Sequence, residues 1–164
     1  MPAKGLQVRR ILVIDDDDLV RTTVRQMLEA KGFDVVIASD GQHALRMLDD
    51  KRVDAILVDI FMPGMDGLET IRAFRQRSRE IAIIAMSGTK FYEGTAEAPD
   101  FLLMATKLGA NASLRKPFRS RELIETIDAC LGDSRSVDKL TLPNTASPLT
   151  PARADDGKEN VRER

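Results

Sequence analysis

Cysteine, histidine and tryptophan are almost missing from this 164-residue sequence, which holds one, one and none. A lone Cys130 cannot close an internal disulfide, and with His43 as the single imidazole there is no ligand set for a thiolate or histidine metal cluster. His43 is therefore expected on the surface of a helix, and Cys130 as a small packing residue near a helix end. An excess of charge of one sign is missing as well. The 25 basic and 26 acidic side chains leave a formal net charge of −1, which gives no global attraction to nucleic acid or an anionic membrane. Arg72, Arg75, Arg77 and Arg79 lie close together. Without interleaved aromatics they are expected to form a solvated helix face rather than a DNA-binding stripe. No long apolar run occurs. Ile11-Leu12-Val13-Ile14, behind Arg9 and Arg10, is too short for a signal peptide or a membrane span. The cytosol is the expected location. No Gly-x-Gly-x-x-Gly turn follows that run and no Walker-type loop exists, which argues against dinucleotide-binding and P-loop proteins.

What is present is the composition of a soluble domain, 43% hydrophobic and 31% charged, in a chain long enough for one domain with a core. Short solid apolar runs alternate with helical stripes. Ile11 to Ile14, Val35 to Ala38, Ala55 to Val58, Ile81 to Met86 and a short stretch near Ala112 to Leu114 are predicted strands. Between them, Val20, Val24, Met27 and Leu28 mark a first helix, capped by Asp18 and stopped near Gly32. A second helix, capped by Ser39 or Asp40, carries Ala44, Leu45 and Leu48; a third carries Leu68, Ile71 and Phe74. The fourth and fifth helices are predicted over residues 100–108 and 120–131. Such alternation implies an α/β fold with a parallel sheet covered on both faces, because parallel neighbours need crossover connections. Residues 1–8 are an expected N-terminal extension and 9–131 the domain. Residues 132–164, with Pro143, Pro148 and Pro151 among polar residues and no apolar stripe, are an expected disordered tail.

The chemistry gathers at strand ends. Asp15 and Asp16 follow strand one, Asp59 ends strand three, Ser87 ends strand four and Lys116 follows strand five. Parallel strands end at one edge, where open sheets bind ligands at the point of order reversal. For the order 2-1-3-4-5 that point lies between strands one and three, which bear the aspartates. Carboxylates ~4 Å apart repel by roughly 4 kcal/mol per pair at an effective dielectric near ~20. A divalent cation relieves this, and an all-oxygen site suits Mg²⁺. Asp59 can then act as a nucleophile towards phosphorus, with Mg²⁺, Lys116 and Ser87 each taking one equatorial oxygen.

Ile11-Leu12-Val13-Ile14-Asp15-Asp16-Asp17, Ile56-Leu57-Val58-Asp59-Ile60-Phe61-Met62-Pro63-Gly64-Met65-Asp66-Gly67 and Lys116-Pro117-Phe118 together resemble the signature of response-regulator receiver domains, over about residues 9–131. The resemblance implies a flavodoxin-like five-stranded sheet, Asp59 as phospho-acceptor, and a histidine kinase or histidine phosphotransfer protein as donor. It also implies Mg²⁺ held directly by Asp16, mainly through water by Asp15, and by Asp59 and the Phe61 backbone carbonyl. A cis Lys116–Pro117 bond and a partner face on helix 4, strand 5 and helix 5 are further implications. No fused output module and no enzymatic activity beyond self-directed phosphoryl transfer and dephosphorylation are expected, the latter slow because Phe61 cannot align a water. Two features depart from the family. Ser113 stands where an aromatic switch residue is usual, and the stretch from Ser87 to Lys116 is long, with Phe91, Tyr92 and Pro99. These place more of the switching on the loop and helix after strand four. The rival from another class is a small Mg²⁺-dependent phosphatase of the haloacid-dehalogenase kind using Asp15, which needs a further acidic pair after the lysine.

Overall fold

The structure, a computed structural model, describes residues 8–50, 52–88 and 100–132. Five strands alternate with five helices: β1 (Arg10–Ile14), α1 (Asp18–Glu29), β2 (Asp34–Ala38), α2 (Gly41–Asp50), β3 (Ala55–Asp59), α3 (Gly67–Arg77), β4 (Ala82–Gly88), α4 (Phe101–Lys107), β5 (Ala112–Lys116) and α5 (Ser120–Gly132). All pairings are parallel and the order is β2-β1-β3-β4-β5, as the sequence predicts. The expected N-terminal extension lies almost wholly outside the described residues, as do Phe91, Tyr92, Pro99 and, past its first residue, the expected tail. Among the described residues no helix is long and apolar enough to cross a membrane.

The solid apolar strands are explained by burial on two faces. Side chains alternate sides along a strand, so Leu12, Ile14, Ile56, Val58, Ile83 and Ala85 enter one core with α2, α3 and α4. Their neighbours Ile11, Val13, Leu57, Ile84 and Met86 enter the other with α1 and α5. Each fully buried aliphatic side chain contributes about 1.5–3 kcal/mol, and β3 is buried along all of its length. Cys130 packs against the second core and His43 is exposed on α2, as expected.

Three local expectations need correction. The cap of α1 is Asp17, whose Oδ1 accepts from the Leu19 and Val20 amides at 2.8 and 3.3 Å; Asp18 lies inside the first turn and pairs with Arg21 at 2.9 Å. Lys116 is the last residue of β5 rather than a loop residue, because the strand runs on through Arg115 to pair with Gly88. The α3 arginines are also not uniformly solvated. Arg75 donates to the carbonyls of Gly109 and Ile81 at 2.7 and 2.6 Å and to Asn111 Oδ1 at 2.6 Å, and Arg77 donates to Leu45 O and Asp49. Helix periodicity identifies a face but not the loops that cover it.

Candidate functional site

Four of the predicted residues converge at the carboxyl edge of the sheet. Asp15 directly follows β1, its amide still donating to Ala38 O at 3.3 Å, and it is 1% exposed. Its carboxylate accepts from the Asp17 amide at 3.0 Å and from Lys116 Nζ at 2.5 Å. Asp59, the last residue of β3, is 5% exposed and accepts from the same ammonium at 3.0 Å. Asp16 stays exposed. Lys116 thus bridges carboxylates 101 and 57 residues away in sequence, a placement that follows from the strand order alone.

One carboxylate oxygen from each of Asp15, Asp16 and Asp59 lies within 4.8 Å of the other two. With all three ionised and one ammonium among them, the cluster retains two negative charges, which a divalent cation would neutralise. An all-oxygen donor set of this size could hold a hard cation. Burial pushes the Asp59 carboxyl up to about 6; Lys116 opposes the rise, and the charges of Asp15 and Asp16 add to it. Burial alone would lower Lys116, but its hydrogen bond to Asp15 and the charges of Asp59 and Asp15 outweigh that, so its ammonium is held above the usual range.

The turn after Asp59 is built to bring its backbone close. Ile60 N donates to Met86 O and Gly67 N donates to Ile60 O, both at 2.9 Å. A methyl group on Gly67 would press inside van der Waals contact with the Asp59 carbonyl oxygen. Asp66 caps α3, accepting from the Glu69 amide at 2.8 Å. The Lys116–Pro117 bond is cis, as the resemblance implies.

Ser87 is less directly engaged. It lies on β4 beside the site, half-buried, with its hydroxyl directed to Gly88 O at a long 3.4 Å. Sequence reasoning missed three contributors. Arg21 donates to the Asp15 carbonyl at 2.6 Å, Gly67 gives the close approach just described, and a cleft of about 710 Å³ runs from the aspartates and Phe61 along α1. Its far arm is lined by Leu19, Val20, Thr23, Met27, Pro117 and Phe118. Leu19, 74% exposed, was a detectable signal, being an apolar residue in the first turn of an otherwise capped helix.

Residues 11–128 match the family model of the response regulator receiver domain. Escherichia coli K12 transcriptional regulatory protein CpxR is 33% identical over 142 residues, covering 86% of this chain and 57% of CpxR. Bacillus subtilis PhoP, the alkaline phosphatase synthesis transcriptional regulatory protein, is 32% identical over 75% of this chain and 48% of PhoP. The chain thus spans about half the length of these curated relatives. The Vibrio cholerae chemotaxis protein CheY4 superposes with a TM-score of 0.67 at 29% identity, covering 76% of this chain and 99% of CheY4. A CheY-like receiver from Methanospirillum hungatei gives 0.69 at 26% identity over 77% and 95% of the two chains. The fold and the acidic edge define a receiver of two-component signalling, a signalling domain rather than a metabolic enzyme. The chain belongs to the response regulator receiver domain family.

Proposed function

We propose that this chain is a phosphorylation-switched receiver that takes a phosphoryl group onto Asp59 from a histidine kinase or histidine phosphotransfer domain. The observation that carries the reading is the single ammonium of Lys116 shared by the buried carboxylates Asp15 and Asp59. It leaves one carboxylate oxygen of Asp59 without that partner and positions a cation beside the reacting centre. Attack by this oxygen forms an O–P bond as the donor's N–P bond breaks; the electron pair returns to the imidazole, which takes a proton from solvent. Lys116 then turns from neutralising two carboxylates to holding a phosphoryl oxygen, and Ser87 takes another by rotating its hydroxyl off Gly88. Asp15, Asp16, Asp59 and the Phe61 carbonyl would hold Mg²⁺, which when bound supplies charge neutralisation for the transferring group.

Docking of the donor fits the apolar arm of the cleft, since a phosphohistidine must reach Asp59 along a surface that excludes water. The face of α4, β5 and α5, where Leu103 and Met104 are 51% and 41% exposed, suits a downstream protein partner. CpxR and PhoP are named as transcriptional regulators, but the balanced charge here gives the receiver itself no grip on nucleic acid, and a cytosolic site of action fits such donors. A stand-alone output or a relay to a histidine-bearing partner both suit this arrangement; a pull-down with and without a phosphoryl mimic separates them. The phosphatase alternative is weakened by geometry. Glu122, Glu125 and Asp128, the acidic residues after Lys116 on α5, are exposed on that helix, and among the described residues, which exclude the acidic residues of the expected tail, the cluster at the site does not include them.

The test is intact-protein mass after incubation with acetyl phosphate and Mg²⁺. Wild type gains one phosphoryl mass; Asp59→Asn and EDTA-treated protein do not. Equal gain in both proteins would remove Asp59 from the role, and steady turnover of phosphate esters would restore the phosphatase.

A further inference from the structure

Receivers need a path from the acceptor to the partner face, and β5 here offers no ring for one. Ser113 is exposed, and the strand Ala-Ser-Leu-Arg-Lys contains no aromatic residue. Phe118, just beyond, packs with the α1 and α5 core, on the opposite face of the sheet from α4. The rings of Phe61 and Phe101 meet edge-to-face instead, with centroids 4.9 Å apart and planes at 75°.

Both partners are placed to matter. Phe61 follows Asp59 by two residues and lines the acidic cleft with it, while the intervening Ile60 is clamped to Met86 and Gly67 by backbone hydrogen bonds. A phosphoryl group arriving on Asp59 must therefore be accommodated at Phe61 more than in the clamped backbone before it. Phe101 is the first residue of α4, directly after its cap Asp100, which accepts from the Leu103 amide at 3.0 Å. The other end of this seven-residue helix is pinned. Gly109, at φ 111°, gives its carbonyl to Arg75, and Asn111 Oδ1 accepts from both Arg75 and the Ile83 amide at 2.6 and 2.8 Å. A helix of this length, ~10 Å, tied at its far end by polar bonds and packed into the core through Ala105, responds to a shift of Phe61 first at the end that bears the ring. It carries the exposed Leu103 and Met104 with it.

We propose that Phe101 is a positioning residue for the Asp59 site, and that the Phe61–Phe101 pair holds α4 in its resting place and is given up when Asp59 is phosphorylated. The proposal rests on the receiver reading above. Edge-to-face contacts are directional, so a small displacement of Phe61 loses most of the pair, and a packed element then moves between discrete positions rather than continuously. Coupling of binding equilibria is reciprocal. Removing a contact made only in the resting state must tighten binding of whatever favours the switched state.

The experiment measures beryllofluoride affinity in Mg²⁺ by calorimetry, and hydrogen exchange across α4 with and without that phosphoryl mimic. Phe101→Leu and Phe61→Leu should each bind the mimic roughly threefold to tenfold more tightly than wild type, the range expected for one ring pair. The α4 amides of the free variants should exchange as fast as those of mimic-bound wild type. The double variant should gain no more than either single one, because both remove the same contact. Phe101→Tyr, which keeps the ring, and Leu103→Ala, on the exposed face, should behave as wild type. Unchanged or weaker affinity in both single variants, or additive effects, overturns the proposal. If Phe101→Leu does not fold, Phe61→Leu with Phe101→Tyr decides it by the same criteria. Failure of wild type to bind the mimic, or equal binding by Asp59→Asn, would sink the receiver reading and this proposal together; normal wild-type binding with unresponsive variants sinks only the proposal.

Discussion

At the scale of single residues, the site is held under electrostatic tension by burial. Asp59 is nearly inaccessible and its carboxyl is pushed up to about 6, with burial as the main cause and Lys116 as the main relief. Its unfolded value is the ordinary ~3.9, so the folded protein binds this proton more tightly than the unfolded chain does. The stability linked to it is fully present below pH ~4 and is lost as pH rises through about 6. Metal-free Asp59→Asn should therefore be more stable than wild type at pH 7.5 by roughly 2 kcal/mol, with the advantage vanishing below pH ~4. Urea unfolding in EDTA across that range measures it, and a stability difference that does not change with pH would refute the assignment. A second residue-scale expectation concerns Phe61, whose ring offers no group to orient a water towards an acyl phosphate. Phe61→Asn or Phe61→Gln should shorten the lifetime of the phosphorylated protein by about tenfold, less than the roughly hundredfold at which general acid–base assistance begins, because an amide only orients the water. A half-life equal to wild type, followed by intact mass after removal of acetyl phosphate, would count against that role.

At the scale of elements, the site depends on how strands are joined to helices. Gly67 opens α3, and a Cβ added there would meet the Asp59 carbonyl and the Ile60 Cα, backbone atoms at and just past the end of β3, which is buried along its whole length. Gly67→Ala must shift that strand end, so a loss of about 1–3 kcal/mol is expected, together with slower phosphorylation. Gly132→Ala, where an added methyl meets open space, should change stability by less than ~0.5 kcal/mol. Arg75 ties α3 to the turn between α4 and β5 through Gly109 and Asn111. Its removal in Arg75→Ala should cost about 2–3 kcal/mol, since bonds from a charged donor contribute more than neutral ones. Arg75→Lys should not restore it, because an ammonium cannot replace the guanidinium fork. These contacts mark the limit of what was legible in the sequence. The strands were readable because apolar runs such as Ala55 to Val58 are buried on both faces, and the edge carrying Asp15, Asp59 and Lys116 followed from parallel order. The Arg75 clamp was not readable, because Asn111 lies 36 residues away and helical spacing records only that a face exists. The same holds for the Phe61–Phe101 contact, which joins two segments whose approach is set by packing of α4 on the sheet. The one-residue error at the α1 cap arose because Asp15-Asp16-Asp17-Asp18 offers four competent caps, and only the strand's end chooses among them.

At the scale of the whole molecule, the question is how binding at one edge is separated from stability of the fold. Asp15 and Asp59 are buried and joined through Lys116, so changing either alters the candidate metal site and the fold at once. Asp16 differs. It is exposed, yet its carboxylate belongs to the same cluster of oxygens within 4.8 Å. A ligand that binds only the native state stabilises it by mass action, by about 2.7 kcal/mol at a hundredfold excess over Kd. For a domain of this size that corresponds to a rise in Tm of roughly 10 °C. Wild type should show this rise on titration with Mg²⁺. Asp16→Asn should melt in EDTA no lower than wild type, and slightly higher, because no buried group loses a partner and the repulsion of Asp16 on the buried Asp59 is relieved. In Mg²⁺ it should lose most of the stabilisation, since one negative ligand has gone and the net charge left for the cation falls from two to one. Scanning calorimetry of both proteins with and without Mg²⁺ reads both effects in one series. A full magnesium response in Asp16→Asn would mean that the buried pair alone holds the ion. A lower melting temperature in EDTA would mean that Asp16 supports the fold directly, and in either case the division between a buried switch and an exposed ligand would have to be redrawn.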